Sequence, residues 1–134
     1  MSDNTSTRGP IIPAGSEKTY ERFHFAPAYQ VNGTVYVSGV IGTGADGKVA
    51  DDAADEFATA FANLVATLDA ANCTLADIVE VTTFHIDMST TLGAFMQARD
   101  AVMAEPWPAW TAIGCTELAI PGARCEIKVT AVPQ

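Results

Sequence analysis

The chain has 134 residues, of which 49% are hydrophobic and 17% are charged, a composition that excludes a disordered protein and fits one globular domain. Sixteen acidic residues against seven basic ones give a formal net charge of −9. This charge disfavours nucleic acid and anionic membrane surfaces as partners, because both select for clustered basic residues. No apolar run approaches the ~20 residues of a membrane helix. We therefore expect neither nucleic acid nor a membrane as a partner.

The predicted elements form one domain at residues 17–134, preceded by a flexible leader at residues 1–16 that shows no periodicity. Alternation of aromatic and polar residues predicts a first short strand, and Asn32-Gly33 is a strong hairpin signal. The elements in chain order are strands at 20–25, 28–31 and 34–41, a helix that begins at Asp51 and ends near Asn72, a strand at 78–88, a helix capped by 89–91 and stopped by Pro106, and strands at 110–116 and 124–132.

Two helices and a set of strands predict an α+β protein in which the helices cover one face of the sheet. The last strand alternates, with Cys125 and Ile127 on one face and Glu126 and Lys128 on the other. The second, polar face must then meet solvent or another subunit. On this ground we expect a homo-oligomer that packs sheet to sheet.

The three cysteines and two histidines of the chain do not indicate a metal or cofactor site. Cys73, Cys115 and Cys125 form an odd set without CxxC spacing, and we interpret them as reduced thiols of a cytoplasmic protein. The two histidines have no carboxylate at ligand spacing, so the sequence predicts no metal site. We expect His85 to have a structural role. For His24, the alternative to a structural role is to supply a proton to the site.

Several segments, in their order and spacing over residues 20–132, resemble the RidA family, the YjgF-type reactive intermediate deaminases formerly described as L-PSP endoribonucleases. No single segment is specific. The segments that carry the resemblance are 32–39 (Asn-Gly-Thr-Val-Tyr-Val-Ser-Gly), Asn63-Leu64, 70–72 (Ala-Ala-Asn), 75–82 (Leu-Ala-Asp-Ile-Val-Glu-Val-Thr), 84–88, Pro108-Ala109 and 126–131 (Glu-Ile-Lys-Val-Thr-Ala).

The resemblance implies a chorismate-mutase-like fold, a mixed sheet with two helices on one face, assembled as a homotrimer. It implies small-molecule ligands bound in clefts between subunits, and hydrolysis of enamines or imines to a carbonyl compound and ammonia without metal or cofactor. In the family, an arginine directly after Pro-Ala grips the substrate carboxylate, and a glutamate on the last strand handles the water or the proton.

Only part of that motif is present in this chain. Glu126 matches the glutamate and Ser38 matches a serine of the family, but Trp110 stands where the arginine is expected. Further departures are Phe25 for a tyrosine and Met96 for an asparagine, and a third is Ala112 for a cysteine. The Pro-Ala-Trp segment resembles a divergent YjgH-like subgroup. We therefore expect a flatter, more apolar or uncharged ligand than a small amino-acrylate.

The candidate site residues follow from this comparison. The predicted catalytic residues are Glu126 and Ser38. The predicted substrate-binding residues are Trp110, Phe25, Tyr36, Met96, Arg99 and Thr111. Arg99 and Arg124 are the candidates to replace the missing cation.

Each main candidate has a plainer alternative. Glu126 is expected either in a site or as a surface carboxylate paired with Lys128 or Arg124. Trp110 is expected either to stack on a planar ligand or to fill an interface. For the whole protein, the alternative to an enzyme is a trimer that binds a small ligand without turning it over. A ribonuclease is disfavoured by the acidic balance and by the lack of a catalytic histidine pair.

Overall fold

The computed structural model describes residues 8–134, and the first part of the predicted leader, residues 1–7, lies outside this range. The helices and strands, which we number in chain order, are β1 (Arg8–Ile11), α1 (Glu17–Phe23), β2 (Ala28–Val31), β3 (Thr34–Val40), α2 (Ala53–Ala70), β4 (Ile78–His85), α3 (Met88–Asp100), β5 (Ala109–Gly114) and β6 (Cys125–Ala131). A single 3-10 turn (Leu75–Asp77) leads into β4.

All six strands form one sheet in the order β1-β2-β3-β6-β4-β5. Only the β4–β5 pair at one edge is parallel, and the connection between these strands is α3, as a parallel crossover requires. The other pairs are antiparallel. The mixed sheet predicted from the resemblance is confirmed, with β6, the strand that carries Glu126, at its centre.

Local signals explain the elements that were predicted correctly. Asn32 and Gly33 both have positive φ, 47° and 88°, as a two-residue hairpin turn between β2 and β3 demands. The Asp52 side chain caps α2 by accepting a hydrogen bond from the Asp55 N–H at 3.1 Å. Asp55 also lies in the first turn of α2, where its negative charge interacts favourably with the helix dipole and stabilises the helix.

Two predictions near the N-terminus are wrong. Residues 8–11 of the predicted leader form β1, which pairs with β2 and extends the sheet. Most of the strand predicted at 20–25 is instead part of the helix α1. His24 caps the C-terminal end of this helix, and its backbone N–H donates a hydrogen bond of 3.0 Å to the Tyr20 carbonyl. Tyr20 and Phe23 have a helical spacing of three, whereas Phe23 and Phe25 have the spacing of two that is typical of a strand, and so short a run does not separate the two patterns.

The sheet has two distinct faces. The helix-covered face packs against α2 and α3 and contains the hydrophobic core, whose largest members are Phe57, Phe61, Leu64, Leu68, Phe95, Ile127 and Val129. The open face carries the alternate residues of the same strands, among them Tyr36, Ser38, Phe84, Thr111, Ile113, Glu126, Lys128 and Thr130. The prediction that two helices cover one face is confirmed for the long helices α2 and α3.

Among residues 8–134, no helix combines the length and the apolarity that crossing a bilayer requires. The three cysteines are free thiols, with Cys73 and Cys125 buried and Cys115 half-buried. Burial raises the pKa of Cys125 to about 12, so this thiol stays protonated and is a core residue rather than a nucleophile.

Candidate functional site

The centre of the candidate site is Glu126, which projects from the central strand β6 onto the open face. Its carboxylate lies directly over Gly39, where an added Cβ would coincide with the carboxylate atoms. The β3–β6 register shifts here, from Val37 opposite Val129 to Val40 opposite Ile127, so β3 contains one extra residue. This bulge and the missing side chain of Gly39 together make the space that the carboxylate occupies.

The environment of Glu126 differs from that of a surface carboxylate. The side chain is half-buried, and desolvation raises its pKa above the ordinary value. The two ion pairs found among residues 8–134 are Arg99–Asp100 and Arg124–Glu56, and neither includes Glu126. A partly buried carboxyl with a raised pKa and no paired cation is suited to exchanging protons with a ligand or water.

Ser38 lies beside this carboxyl, next to Gly39 in the bulge of β3. Its hydroxyl donates a hydrogen bond of 2.6 Å to the Ala26 carbonyl, and its N–H donates to the Pro27 carbonyl at 2.9 Å. Both bonds fasten the segment between α1 and β2 to the bulge. The Ser38 hydroxyl proton is therefore engaged, which fits a positioning role better than a nucleophilic one.

Phe25 belongs to the segment that Ser38 holds. It is 46% exposed and lines an open groove with Tyr20, His24 and Tyr29. The groove also includes Ala26, the residue whose carbonyl accepts the Ser38 bond. Tyr29 of this groove is paired with Tyr36 of the open face, so Phe25 and His24 line a groove on the Glu126 side of the sheet.

The other predicted residues of the open face lie in rows across the strands. Tyr36 is opposite Thr130 on β6, and Thr111 is opposite Thr82 on β4. Phe84, which sequence reasoning did not select, is directly opposite Glu126 and is flanked on β5 by Ile113. The apolar neighbours explain the desolvation of the carboxyl, and only the strand register reveals them.

Trp110 does not share this face. It is opposite Val81 and packs on the helix-covered face, stacked on Phe95 with ring centroids 6.3 Å apart. Its indole N–H donates to the Thr83 hydroxyl at 2.9 Å, and the same hydroxyl is 2.7 Å from His85 Nε2. Within one chain, the tryptophan at the position of the family's arginine and the candidate catalytic glutamate are therefore on opposite sides of the sheet.

His85 has the structural role that the sequence predicted. It is fully buried, and its ring meets Phe95 edge to face at a centroid distance of 4.9 Å. Burial lowers the pKa of His85, which keeps the ring neutral at neutral pH. Its Nδ1 atom has no hydrogen-bond partner among residues 8–134.

The two arginines proposed as substitute cations have different surroundings. The Arg99 guanidinium lies over the rings of Trp107 and Trp110, at 5.5 and 5.0 Å from their centroids. Its helix, α3, also carries Met96, which is 37% exposed. Arg99 and Met96 therefore belong to the helix side of the molecule with Trp110.

Arg124 has a structural function. Its Nη1 atom donates to Glu56 at 2.6 Å, and Glu56 is completely buried. Its backbone N–H donates to the other oxygen of the same carboxylate at 2.7 Å, and the guanidinium also reaches the Ala50 and Asp51 carbonyls. These bonds fix the segment that enters β6 two residues before Glu126. The pairing of Glu126 with Arg124, one of the plainer alternatives, is thus not realised.

Within the part of the chain that the structure describes, no cluster of three or more His, Cys, Asp or Glu side chains has the geometry of a metal site. The open face therefore offers one half-buried carboxyl, nearby hydroxyls and aromatic rings, and the exposed Lys128. In this set, the half-buried carboxyl is the group suited to transferring a proton.

The sheet order and the two helices on one face are those of a chorismate-mutase-like α+β protein. The chain belongs to the Endoribonuclease L-PSP family, whose model matches residues 17–133. It is 38% identical over 125 residues to the RutC family protein YjgH of Escherichia coli, covering 92% of this chain and 94% of that protein.

Two further similarities support the assignment. A 2-iminobutanoate/2-iminopropanoate deaminase of Dermatophagoides farinae is 32% identical over 106 residues, which cover 78% of this chain and 81% of that protein. The solved structure of the protein YJGH superposes with a TM-score of 0.85 at 38% identity, covering 95% of this chain and 98% of that one. The predicted RidA/YjgF family and the YjgH-like character are confirmed.

Proposed function

We propose that this protein hydrolyses an enamine or imine to a carbonyl compound and ammonia, with Glu126 as the proton-transferring group. The observation that carries the proposal is the half-buried, unpaired carboxyl over Gly39, whose pKa is raised by desolvation. The similarity to a protein named as an iminobutanoate and iminopropanoate deaminase gives the reaction class.

The chemistry requires one group that exchanges protons. An enamine accepts a proton at carbon and loses one from nitrogen to become an imine, and a water molecule then adds to the imine carbon. Glu126 takes one proton of the attacking water and returns it to the nitrogen, which gives a carbinolamine. It then moves the hydroxyl proton to the nitrogen as the C–N bond breaks, and the products are a carbonyl compound and ammonia. A raised pKa suits this role because the carboxyl must both accept and donate a proton near neutral pH.

The substrate class follows from the loss of the family's arginine. The family's arginine is replaced by Trp110, and Arg124 is engaged with buried Glu56. Phe84 instead presents aromatic surface beside the carboxyl, and Tyr36 lies farther along the same face, opposite Thr130. We propose an imine of a flatter, less charged compound than a small 2-imino acid.

We further propose that the site is completed between subunits of a homotrimer. The predicted site residues divide into an open-face group (Glu126, Ser38, Tyr36, Thr111 and Phe25) and a helix-side group (Trp110, Arg99 and Met96), and one chain separates the two groups by the thickness of the sheet. A cleft that contains both groups must take them from different subunits, with the open face of one chain toward the edge of the next.

The first test is ammonia release from imines generated in situ, with Glu126→Gln compared with wild type. The control is Glu80→Gln, which removes a glutamate of the same face that contacts Thr130 instead of Gly39. We expect Glu126→Gln to lose activity at least 100-fold and Glu80→Gln to retain it, in line with ~10²–10⁴-fold effects of general acid–base groups. Equal rates for wild type and Glu126→Gln refute the role of Glu126.

The second test asks whether two subunits share the site. Glu126→Gln and Trp110→Ala chains, each inactive alone, are unfolded, mixed in equal amounts and refolded. If each site takes Glu126 from one chain and Trp110 from another, about a quarter of the sites in random trimers regain both residues. A site within one chain regains none, so absence of activity in the mixture contradicts the shared cleft. If Trp110→Ala does not fold, Met96→Trp replaces it, because the larger side chain narrows the proposed cleft on its helix side.

The second candidate function is a trimer that binds a small ligand without reaction. The observation that favours it is the replacement of the carboxylate-gripping arginine by Trp110. A ligand recovered unchanged from the saturated protein, together with no turnover of any tested imine, supports binding alone. Turnover that depends on Glu126 excludes it.

A further inference from the structure

A second candidate site lies inside one chain, between the helix-covered face and α3. It is a cavity of about 120 Å³ where the first residues of β4 and β5 face the helices. Its walls are almost entirely apolar, and they include Val81, Phe95, Arg99, Met103, Trp107 and Trp110. Glu126 and Ser38 are not part of its lining, because they project from the other face of the sheet.

The size and the walls of the cavity select a single ring. An apolar cavity of about 150 Å³ stays dry and holds a benzene molecule, so a space of about 120 Å³ suits one six-membered ring. Phe95 and Trp110 are stacked beside one another and present aromatic surface on one side. Offset stacking and edge contacts on these rings favour an aromatic ligand over an aliphatic one of equal volume.

Of the residues that the structure describes, Arg99 is the one charged residue in the lining of the cavity. Its guanidinium lies over both indole rings, and its side chain is 22% exposed. Asp100, its neighbour in sequence, accepts from Nε at 3.0 Å and from Nη2 at 2.8 Å through a single oxygen. The Nη1 atom has no such partner among residues 8–134, and it is able to pair with a further carboxylate.

We propose that this cavity binds a small aromatic monocarboxylate, with the ring against Phe95 and Trp110 and the carboxylate on Arg99. The ligand class combines the two properties of the site, an apolar space for one ring and beside it a guanidinium whose Nη1 atom Asp100 does not engage. Binding requires only residues of one chain.

The cavity shares Trp110 and Arg99 with the proposed cleft between subunits, but the inference does not rest on the proposed deaminase activity. The cavity and Glu126 occupy opposite faces of the sheet, so loss of Glu126 leaves the cavity intact. An inactive Glu126→Gln protein that still binds the aromatic acid distinguishes failure of the proposed function from failure of this inference.

Tryptophan fluorescence reports on this site directly, because the chain has two tryptophans and both line the cavity. The full-length protein is titrated with phenylacetate, with toluene and with acetate, which carry the ring and the charge, the ring alone and the charge alone. We expect saturable quenching with phenylacetate, weaker binding of toluene and none of acetate.

Variants separate the ring contribution from the charge. Arg99→Met should weaken phenylacetate binding roughly tenfold or more and change toluene binding less than twofold, because only the charged hydrogen bond is lost. Its control is Arg22→Met, on exposed α1. Val81→Phe fills the cavity and should abolish binding of both compounds. Its control is Val79→Phe on the same strand, where the side chain is 49% exposed and does not line the cavity.

Circular dichroism establishes that each variant is folded, and Met103→Phe replaces Val81→Phe if the latter is not. Absence of saturable quenching by phenylacetate in the wild-type protein overturns the proposal. Equal affinity of Arg99→Met and wild type for phenylacetate, or wild-type affinity in the filled variants, also overturns it.

Discussion

Replacing Arg124 by methionine should lower the free energy of unfolding by about 3–5 kcal/mol, because it leaves the fully buried Glu56 carboxylate without its cation. The variant loses the guanidinium bond to Glu56 and the bonds to the Ala50 and Asp51 carbonyls. It keeps one bond to the carboxylate, from the backbone N–H of residue 124. One remaining hydrogen bond does not offset the desolvation of a charge.

The reverse change is expected to be milder. In Glu56→Gln the amide oxygen accepts one of the two bonds from Arg124, but the amide NH₂ then faces the other donor. The guanidinium is partly exposed and keeps its two carbonyl partners, so it remains solvated and bonded. We expect a loss of about 1–3 kcal/mol, the range for one unsatisfied buried group.

The double variant Glu56→Met with Arg124→Met is the decisive comparison. Removing both charges eliminates the unpaired carboxylate, and apolar replacements of a buried pair are often close to neutral. The double variant should therefore be more stable than Arg124→Met alone by about 2 kcal/mol or more. Stability is measured by urea unfolding at one fixed protein concentration. A double variant as unstable as Arg124→Met, or an Arg124→Met protein within about 1 kcal/mol of wild type, refutes the reasoning.

Three other predictions concern the two faces of the sheet. Burial raises the pKa of Glu126, so the charged carboxylate destabilises the native state as the pH rises from the ordinary glutamate pKa of 4.5 through the raised pKa. Glu126→Gln should therefore raise the melting temperature at pH 7 and leave it unchanged at a pH below 4.5. An equal change in melting temperature at both pH values contradicts this. Gly39→Ala should displace the carboxyl and abolish ammonia release, whereas Gly93→Ala, in open space on α3, should leave activity unchanged and stabilise by up to ~1 kcal/mol in urea unfolding. Trp110→Arg should lower KM for a small 2-imino acid roughly tenfold, and Thr111→Arg on the other face should not, as steady-state kinetics can decide.

The parts of the fold that the sequence predicted well are those with strong local signals. The apolar spacing of α2, with Asp52 before it, produced a correct helix, and Asn32-Gly33 produced a correct hairpin. The alternation of β6 placed Glu126 on the face opposite the core, which the structure confirms. In each case the signal acts over a few residues, where backbone geometry and burial have the same requirement.

The parts that were missed depend on contacts distant in sequence. Glu56 and Arg124 are 68 residues apart, and nothing local indicates that they pair. Strand β1 is held by its pairing with β2 and not by a pattern of its own. Phe84 is a neighbour of Glu126 only through the β4–β6 register, which sequence periodicity does not determine.

The position of Trp110 shows why a motif comparison needs the strand register. Matching residue types by their order along the chain placed Trp110 and Glu126 in one site, yet each strand alternates between faces, and the register sets Trp110 opposite Val81 and Glu126 opposite Phe84. A shift of one residue in β5 would bring Thr111 to the helix side and expose the indole. Core packing prevents this, since Trp110 is fixed by Phe95 and by its bond to Thr83. The catalytic hypothesis therefore makes a geometric demand that one chain does not meet, and the subunit-mixing experiment tests whether a second chain meets it.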